Sequence, residues 1–169
     1  NSQNLIGMII WIGIVFVSVL IHEFGHALTA VCFRQKAEIQ IVALGGLTSY
    51  DGPKLSFWKQ FIIVFNGPLA GMGLVLLSML LLQLPILGFA HKIFYVVMIA
   101  NLFWSLVNLL PVLPLDGGQL LRIALEGFFG VKGFRASLLI GAILSTLVSF
   151  YFFIFPNFLI GAIFFLFAF

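Results

Sequence analysis

The sequence predicts an α-helical polytopic membrane protein of about four to six membrane segments, carrying a small membrane-associated β-hairpin. Composition is the first observation behind this. Hydrophobic residues make up 63% of the 169 residues and charged residues 8%, with a mean hydropathy of +1.24. No soluble domain buries that much apolar surface. The second observation is that the apolar runs match the length needed to cross a bilayer. The third is a short stretch after the first run whose period falls from helical spacing to alternation. Residues 1–169 read as a single domain, with a core at 5–126 and extra membrane segments at 136–169.

Charge and cysteine usage exclude other classes. The formal charge is +3, but no basic cluster is dense enough to follow a phosphate backbone, so nucleic acid is not an expected partner. The single cysteine, Cys32, excludes an intrachain disulfide framework and reads as a packing residue near a span end. The first run lacks the basic flank of a cleavable signal peptide, and no linker or appended soluble domain is expected.

The first span runs from about Leu5 to Phe33 and contains His22-Glu23-Phe24-Gly25-His26, an H-E-x-x-H pattern. On a helix the two histidines are four residues apart and project from one face, as two ligands of a single zinc must. Glu23, beside the first of them, is placed to act as a general base toward water. Each ionisable side chain at membrane depth costs about 2.5–3.5 kcal/mol on insertion scales, so three within five residues require compensation. A hydrogen-bonded interhelical cluster would supply some; a metal supplies more. Gly25, inside the motif, permits a close helix neighbour.

After Arg34 and Lys36 the sequence alternates through Glu38-Ile39-Gln40-Ile41 to Leu44, then resumes at Leu47-Thr48-Ser49-Tyr50. That predicts a hairpin turning at Gly45-Gly46, with Asp51-Gly52-Pro53 breaking the second strand. It is either a plain surface hairpin or a strand edge able to pair with an extended peptide, in which case Gly45, Gly46, Leu47 and Thr48 are the candidate substrate-binding residues.

The second span is expected from Phe57 to Leu82, with Trp58 and Lys59 as interfacial anchors. Within it, Gly67 and Gly71 form a small-xxx-small face, Pro68 frees a backbone carbonyl, and Asn66 reads as an interhelical hydrogen bond or a site residue. His91, in the next connection, is read as interfacial rather than as a ligand. A third span from Ile93 to Leu110 carries Asn101, Ser105 and Asn108 at i, i+4 and i+7, a polar stripe that faces helices or a wet cavity.

Two prolines and two glycines in 108–118 then open the backbone, which at membrane depth requires surrounding protein or a water-filled cavity. Asp116 is the sole carboxylate of that stretch. It either caps the following helix or supplies the third ligand that the first motif lacks. Gln119 to Phe129 reads as a short helix with an Arg122–Glu126 pair, and Glu126 is assigned no chemistry. Val131 to Arg135 reads as a loop, Ser137 to Phe155 as a fourth span broken by Pro156-Asn157, and Phe158 to Phe169 as a possible half-span or truncated segment. With Asn1 outside, Arg34, Lys36, Lys54, Lys59, Arg122, Lys132 and Arg135 fall on the inner side and only Lys92 outside. That bias orients the motif and the hairpin toward the cytosol.

The membrane-helix H-E-x-x-H, followed about ninety residues on by Asn108-Leu109-Leu110-Pro111 and Leu115-Asp116-Gly117, resembles the site-2 protease family of intramembrane zinc metalloproteases. The resemblance spans Leu5 to about Glu126. It implies one Zn2+ per chain held by His22, His26 and Asp116, with Glu23 as catalytic base and Asn108 positioning substrate or oxyanion. It also implies that the hairpin receives unwound substrate. Phe65-Asn66-Gly67-Pro68-Leu69-Ala70-Gly71 is similar to the family's A-G-P-x-A-N element. Asn66 stands where alanine is usual and Gly71 where asparagine is, so the element implies helix packing here rather than chemistry. These residues include no PDZ or CBS segment, so the resemblance implies no regulation through such domains.

The implied activity is a zinc endopeptidase cutting within or near transmembrane segments of single-span proteins, as in regulated intramembrane proteolysis, with the lipid bilayer as its solvent. The oligomeric state is not implied. Two other classes compete. A zinc-binding pseudoprotease would hold transmembrane segments without cutting them, yet every expected catalytic residue is present. A metal transporter would need further ligands along a path and has no use for Glu23.

Overall fold

A run as apolar as residues 5–33 forms helix in lipid because only intrahelical hydrogen bonds satisfy its backbone there. In the computed structural model, which describes residues 2–42, 45–85, 88–155 and 157–168, that run is α1, Ser2–Cys32. It is followed by β1 (Lys36–Val42), β2 (Gly45–Asp51), α2 (Phe57–Leu81), α3 (Gly88–Asn108), α4 (Asp116–Phe129), α5 (Val131–Ile154) and α6 (Phe158–Phe167). Helices α1, α2, α3 and α5 are each long and apolar enough to cross a membrane, and α6 is a shorter apolar helix. The chain is an integral, multi-pass membrane protein. Its many outward leucines, isoleucines and phenylalanines, such as Ile9, Leu28, Leu80 and Leu139, are what lipid rather than water would solvate.

Two compact units are distinguished, Asn1–Lys54 with Phe65–Leu106 and Leu55–Val64 with Val107–Phe169. In the first, α1 ends in a Schellman motif. The amide of Gln35 donates to Ala30 O at 3.0 Å and that of Arg34 to Val31 O at 2.9 Å, with Arg34 in the left-handed region at φ 62°. The chain reverses there into β1. The side chain of Gln35 donates to Pro53 O at 3.0 Å, so one glutamine ties the chain entering β1 to the chain leaving β2. β1 and β2 pair antiparallel from Lys36↔Asp51 to Val42↔Gly45, and both pack on α1.

The hairpin differs from expectation at its turn. Gly45 and Gly46 belong to β2, opposite Val42 and Ile41, and residues 43 and 44 lie outside the described residues. These glycines serve something other than a turn. Gly45 has φ 147°, which favours glycine, and Gly46 faces a catalytic candidate. Asp51 does not break the strand but pairs opposite Lys36, and the break falls at Gly52.

Asn66 is the interhelical bond that the sequence allowed. Its Nδ2 donates to Thr29 Oγ1 at 2.7 Å, and that hydroxyl donates to Gly25 O at 2.7 Å. At this crossing a Cβ on Gly25 would overlap Asn66 O. Two residues of the polar stripe of α3 are likewise bonded to neighbouring helices. Asn101 Nδ2 donates to Ser18 Oγ at 2.9 Å, and Ser105 Oγ reaches Pro68 O at 3.4 Å. Such bonds hold helices together where the hydrophobic effect does not.

In the second unit, Phe61 and Val64 pack with Leu120 and Ile123 of α4. Helix α5 starts at Val131, so the segment expected as a loop is helical. Gly133, read from sequence as a loop residue, instead removes the Cβ that would overlap Leu125 O, letting α5 cross α4 closely. Gly130 at φ 58° makes the turn between them. The local Arg122–Glu126 pair is not formed among the described residues, and Arg122 Nε is buried without a hydrogen-bond partner. Arginine preceding glutamate is the weaker order along a helix. Pro156, expected to break the fourth span, lies outside the described residues; Asn157 precedes α6.

Candidate metal centre

Helix α1 buries Ser18, Val19, His22, Glu23, His26, Ala27 and Ala30, a stripe of helical period that places the three ionisable residues of the motif inside the protein while Phe24 faces outward. His22, Glu23 and His26 are 4%, 5% and 7% exposed, so these three side chains do not look into lipid. The two Nε2 atoms face one another at 3.2 Å, with rings nearly perpendicular at 81°. Two nitrogens each 2.0–2.1 Å from one tetrahedral zinc lie about 3.3 Å apart. The imidazole pair therefore fits that metal as it stands.

Room for this geometry comes from α2. A Cβ on Gly67 would fall on the His26 ring at Nε2 and Cε1. Sequence reasoning took Gly67 for helix packing; it is also the notch in which His26 sits. Its signal was available in the sequence only as one more small residue on a helix face.

Glu23 packs against the hairpin. Thr48 Oγ1 donates to its Oε2 at 2.6 Å and lies 3.3 Å from its backbone carbonyl. A Cβ on Gly46 would overlap Glu23 Cγ. Of the hairpin residues singled out from sequence, Gly46 and Thr48 thus face Glu23. Leu47 points outward and is 55% exposed, and Gly45 lies near Trp104, whose ring would be 3.8 Å from a Cβ there.

Asp116 is the first residue of α4, and Leu115 occupies the N-cap position. The aspartate is therefore not the capping residue. It is 7% exposed, and a carboxylate in the first helical turn is favoured by the helix dipole. The loop before it folds tightly, with Val112 N donating to Leu110 O at 2.7 Å and Leu115 N to Val112 O at 2.9 Å. Gly117 and Gly118 admit that loop, since a Cβ on either would overlap backbone of Leu109 or Val112. Asn108 is the last residue of α3 and is partly buried. The buried imidazoles His22 and His26 and the buried carboxylate Asp116 are side chains of the types that hold a zinc ion.

A protein-family model described as peptidase family M50 matches residues 10–89 and 83–153. The chain belongs to peptidase family M50. Its similarity to curated proteins agrees with the motif reading. A Synechocystis sp. protein, named as a candidate zinc metalloprotease, is 34% identical over 113 residues, 64% of this chain and 29% of that protein. A zinc metalloprotease of Methanocaldococcus jannaschii is 33% identical over 121 residues, 69% of this chain and 34% of that protein. The chain spans about a third of the length of these relatives. The site-2 protease from Methanocaldococcus jannaschii shares the fold, with a TM-score of 0.68 at 23% identity, covering 94% of this chain and 76% of that one. The M50 relatives are named for zinc, and zinc is the cofactor that the His22–His26 pair fits.

Proposed function

We propose that this M50 chain is an intramembrane zinc endopeptidase that hydrolyses peptide bonds within or near transmembrane segments of single-span membrane proteins, residues 1–169 working as one catalytic domain. The observation that carries the reading is the His22–His26 pair, Nε2 to Nε2 at 3.2 Å, with Glu23 buried beside it on a bilayer-length helix. His22, His26 and Asp116 are the ligands in this reading. Two imidazoles and one carboxylate leave a tetrahedral metal with an open position, the pattern of a catalytic rather than a structural site.

Zinc, when bound, supplies the Lewis acidity of the reaction. Glu23 takes a proton at its carboxylate from the attacking water and returns it to the leaving amine nitrogen. Asn108, an amide with both donor and acceptor, positions the substrate or its oxyanion. A substrate helix must unwind to expose a peptide bond, and its freed backbone groups need partners. The hairpin around Gly45, Gly46, Leu47 and Thr48 offers a strand edge for them. An open apolar cleft of about 270 Å³ lined by Trp11, Val15, Phe16, Val19, Ile41 and Gly45 joins α1 to that strand, a surface suited to an apolar segment. The distribution of basic residues supports an N-terminus outside and a site toward the cytosol.

Glu23→Gln tests the reading. It keeps size and hydrogen bonding but removes the base. Zinc should stay near one per chain and a single-span substrate should still co-purify, while cleavage falls about 10²–10⁴-fold. Wild-type cleavage by this variant would rule out the mechanism. A wild-type chain that binds zinc and substrate but never cuts would establish the pseudoprotease instead.

A further inference from the structure

We infer that Thr48 is a positioning residue for Glu23: the second hairpin strand holds the carboxylate in one orientation through the Thr48 hydroxyl, in a notch that Gly46 leaves open. This rests on the proposed role of Glu23 as the base.

Three observations meet here. Strand β2 alternates in exposure, with Gly46, Thr48 and Tyr50 inward and Leu47, Ser49 and Asp51 outward, so residues 46 and 48 share the face that packs on α1. A hydroxyl has a single proton to give. Thr48 stands 2.6 Å from Glu23 Oε2 and 3.3 Å from the Glu23 carbonyl, so the carboxylate is the principal acceptor. Short hydrogen bonds to an ionised carboxylate are the strong ones. Finally, Gly46 would place a Cβ on Glu23 Cγ. Any other residue there would drive the glutamate out of its rotamer.

A purely structural strand would carry valine at an inward, half-buried position as readily as threonine, because both are β-branched. What threonine adds is the donor. A glutamate side chain turns about three bonds and is free to swing in a polar cavity. With Oε2 held by the Thr48 hydroxyl and Oε1 set against Gly46, the swing stops and the carboxylate keeps one orientation. A base displaced by about 1 Å costs on the order of 10²-fold in rate.

The arrangement also links recognition to chemistry. The strand proposed to receive substrate is the strand that orients the base, so a substrate that orders β2 also orders Glu23.

The experiment uses the purified chain in detergent or liposomes with a cleavable single-span substrate. Thr48→Val preserves shape and removes the donor; Thr48→Ser preserves the donor. We expect Thr48→Val to lower kcat at least about tenfold with KM and zinc content unchanged, and Thr48→Ser to recover most of the loss. A second readout needs neither turnover nor metal. The chain has three glutamates, Glu23, Glu38 and Glu126, so carbon-13 glutamate labelling of metal-free protein gives three side-chain carboxyl signals. The Glu23 signal is identified by its loss in Glu23→Gln. It should shift in Thr48→Val and stay in place in Thr48→Ser. Wild-type kcat in Thr48→Val, an equal loss in Thr48→Ser, or an unmoved carboxyl signal would each overturn the inference. If Glu23→Gln still cleaves, the base assignment itself has failed, an outcome distinct from an inactive Glu23→Gln beside a fully active Thr48→Val.

Discussion

The Nε2 atoms of His22 and His26 face each other 3.2 Å apart across one turn of α1, and the ring of His26 occupies the space that a side chain on Gly67 would need. The imidazole pair is thus set by two helices. Helical spacing alone puts the two histidines on one face, and the missing Cβ on α2 lets the second ring take its place.

Gly67→Ala should therefore damage metal binding from a position that carries no ligand. The added methyl overlaps His26 Nε2 and Cε1, and the ring must rotate out of its place. Gly71→Ala is the control on the same helix. Its methyl would meet Ser105 Oγ at 2.5 Å, the tip of a side chain that can rotate. Zinc per purified chain should fall several-fold in Gly67→Ala and remain near one in Gly71→Ala. Equal zinc in the two variants would remove Gly67 from the site.

Asn66 gives a prediction of the opposite kind. Its bond to Thr29 ties α2 to α1 one turn beyond His26, yet touches no candidate ligand. Interhelical bonds of this sort average about 0.6 kcal/mol, with a maximum near 1.7. Asn66→Ala should lower the thermal midpoint by a few degrees, with Thr29→Val doing the same and the double variant adding little. Zinc content and kcat should hold. A tenfold loss of kcat at full zinc occupancy would give Asn66 a part in the chemistry.

Much of the fold was legible because lipid imposes strict rules. Bilayer-length apolar runs gave the four long helices, and alternation gave the hairpin. The spans' ends were less legible because they are set by packing. Val131 to Arg135 reads as a loop until Gly133 is seen to let α5 press on Leu125 O. The Gly45-Gly46 pair misled for a related reason. Glycine is the usual turn residue, but these two stand in a strand, and Gly46 makes room for Glu23. Sequence reasoning sees that a glycine lacks a side chain and cannot see which neighbour fills the gap. The same blindness hid Thr48, an ordinary strand residue whose value lies in one hydroxyl aimed at a residue twenty-five positions earlier.

Arg34 offers a test of backbone strain. It sits at φ 62° at the C′ position of a Schellman motif, where glycine is the usual occupant. A left-handed conformation costs a non-glycine residue roughly 1–2 kcal/mol, partly offset by the greater entropy that glycine loses on folding. Arg34→Gly should leave zinc and cleavage unchanged and raise the thermal midpoint slightly. A clear drop in the midpoint would mean that the guanidinium contributes more than its backbone conformation costs.

The third ligand is decided by a pair of aspartates. The chain has two, Asp51 and Asp116, and their settings differ. Asp51 is exposed at the end of β2, opposite Lys36, where water already satisfies a carboxylate. Asp116 is 7% exposed in the first turn of α4, and the tight loop from Leu109 to Leu115 fixes the backbone that carries it. A buried carboxylate needs a compensating charge or several donors, and a divalent metal is the strongest such partner. Asp116→Ala should reduce bound zinc well below one per chain, whereas Asp51→Ala should leave it unchanged. Asp116→Asn separates charge from shape. It keeps the side-chain volume and one carbonyl oxygen, so weakened zinc binding in this variant, with helical content intact by circular dichroism, identifies the negative charge as what the metal requires. Full zinc in both Asp116 variants would place the third ligand elsewhere and leave Asp116 a role at the start of α4.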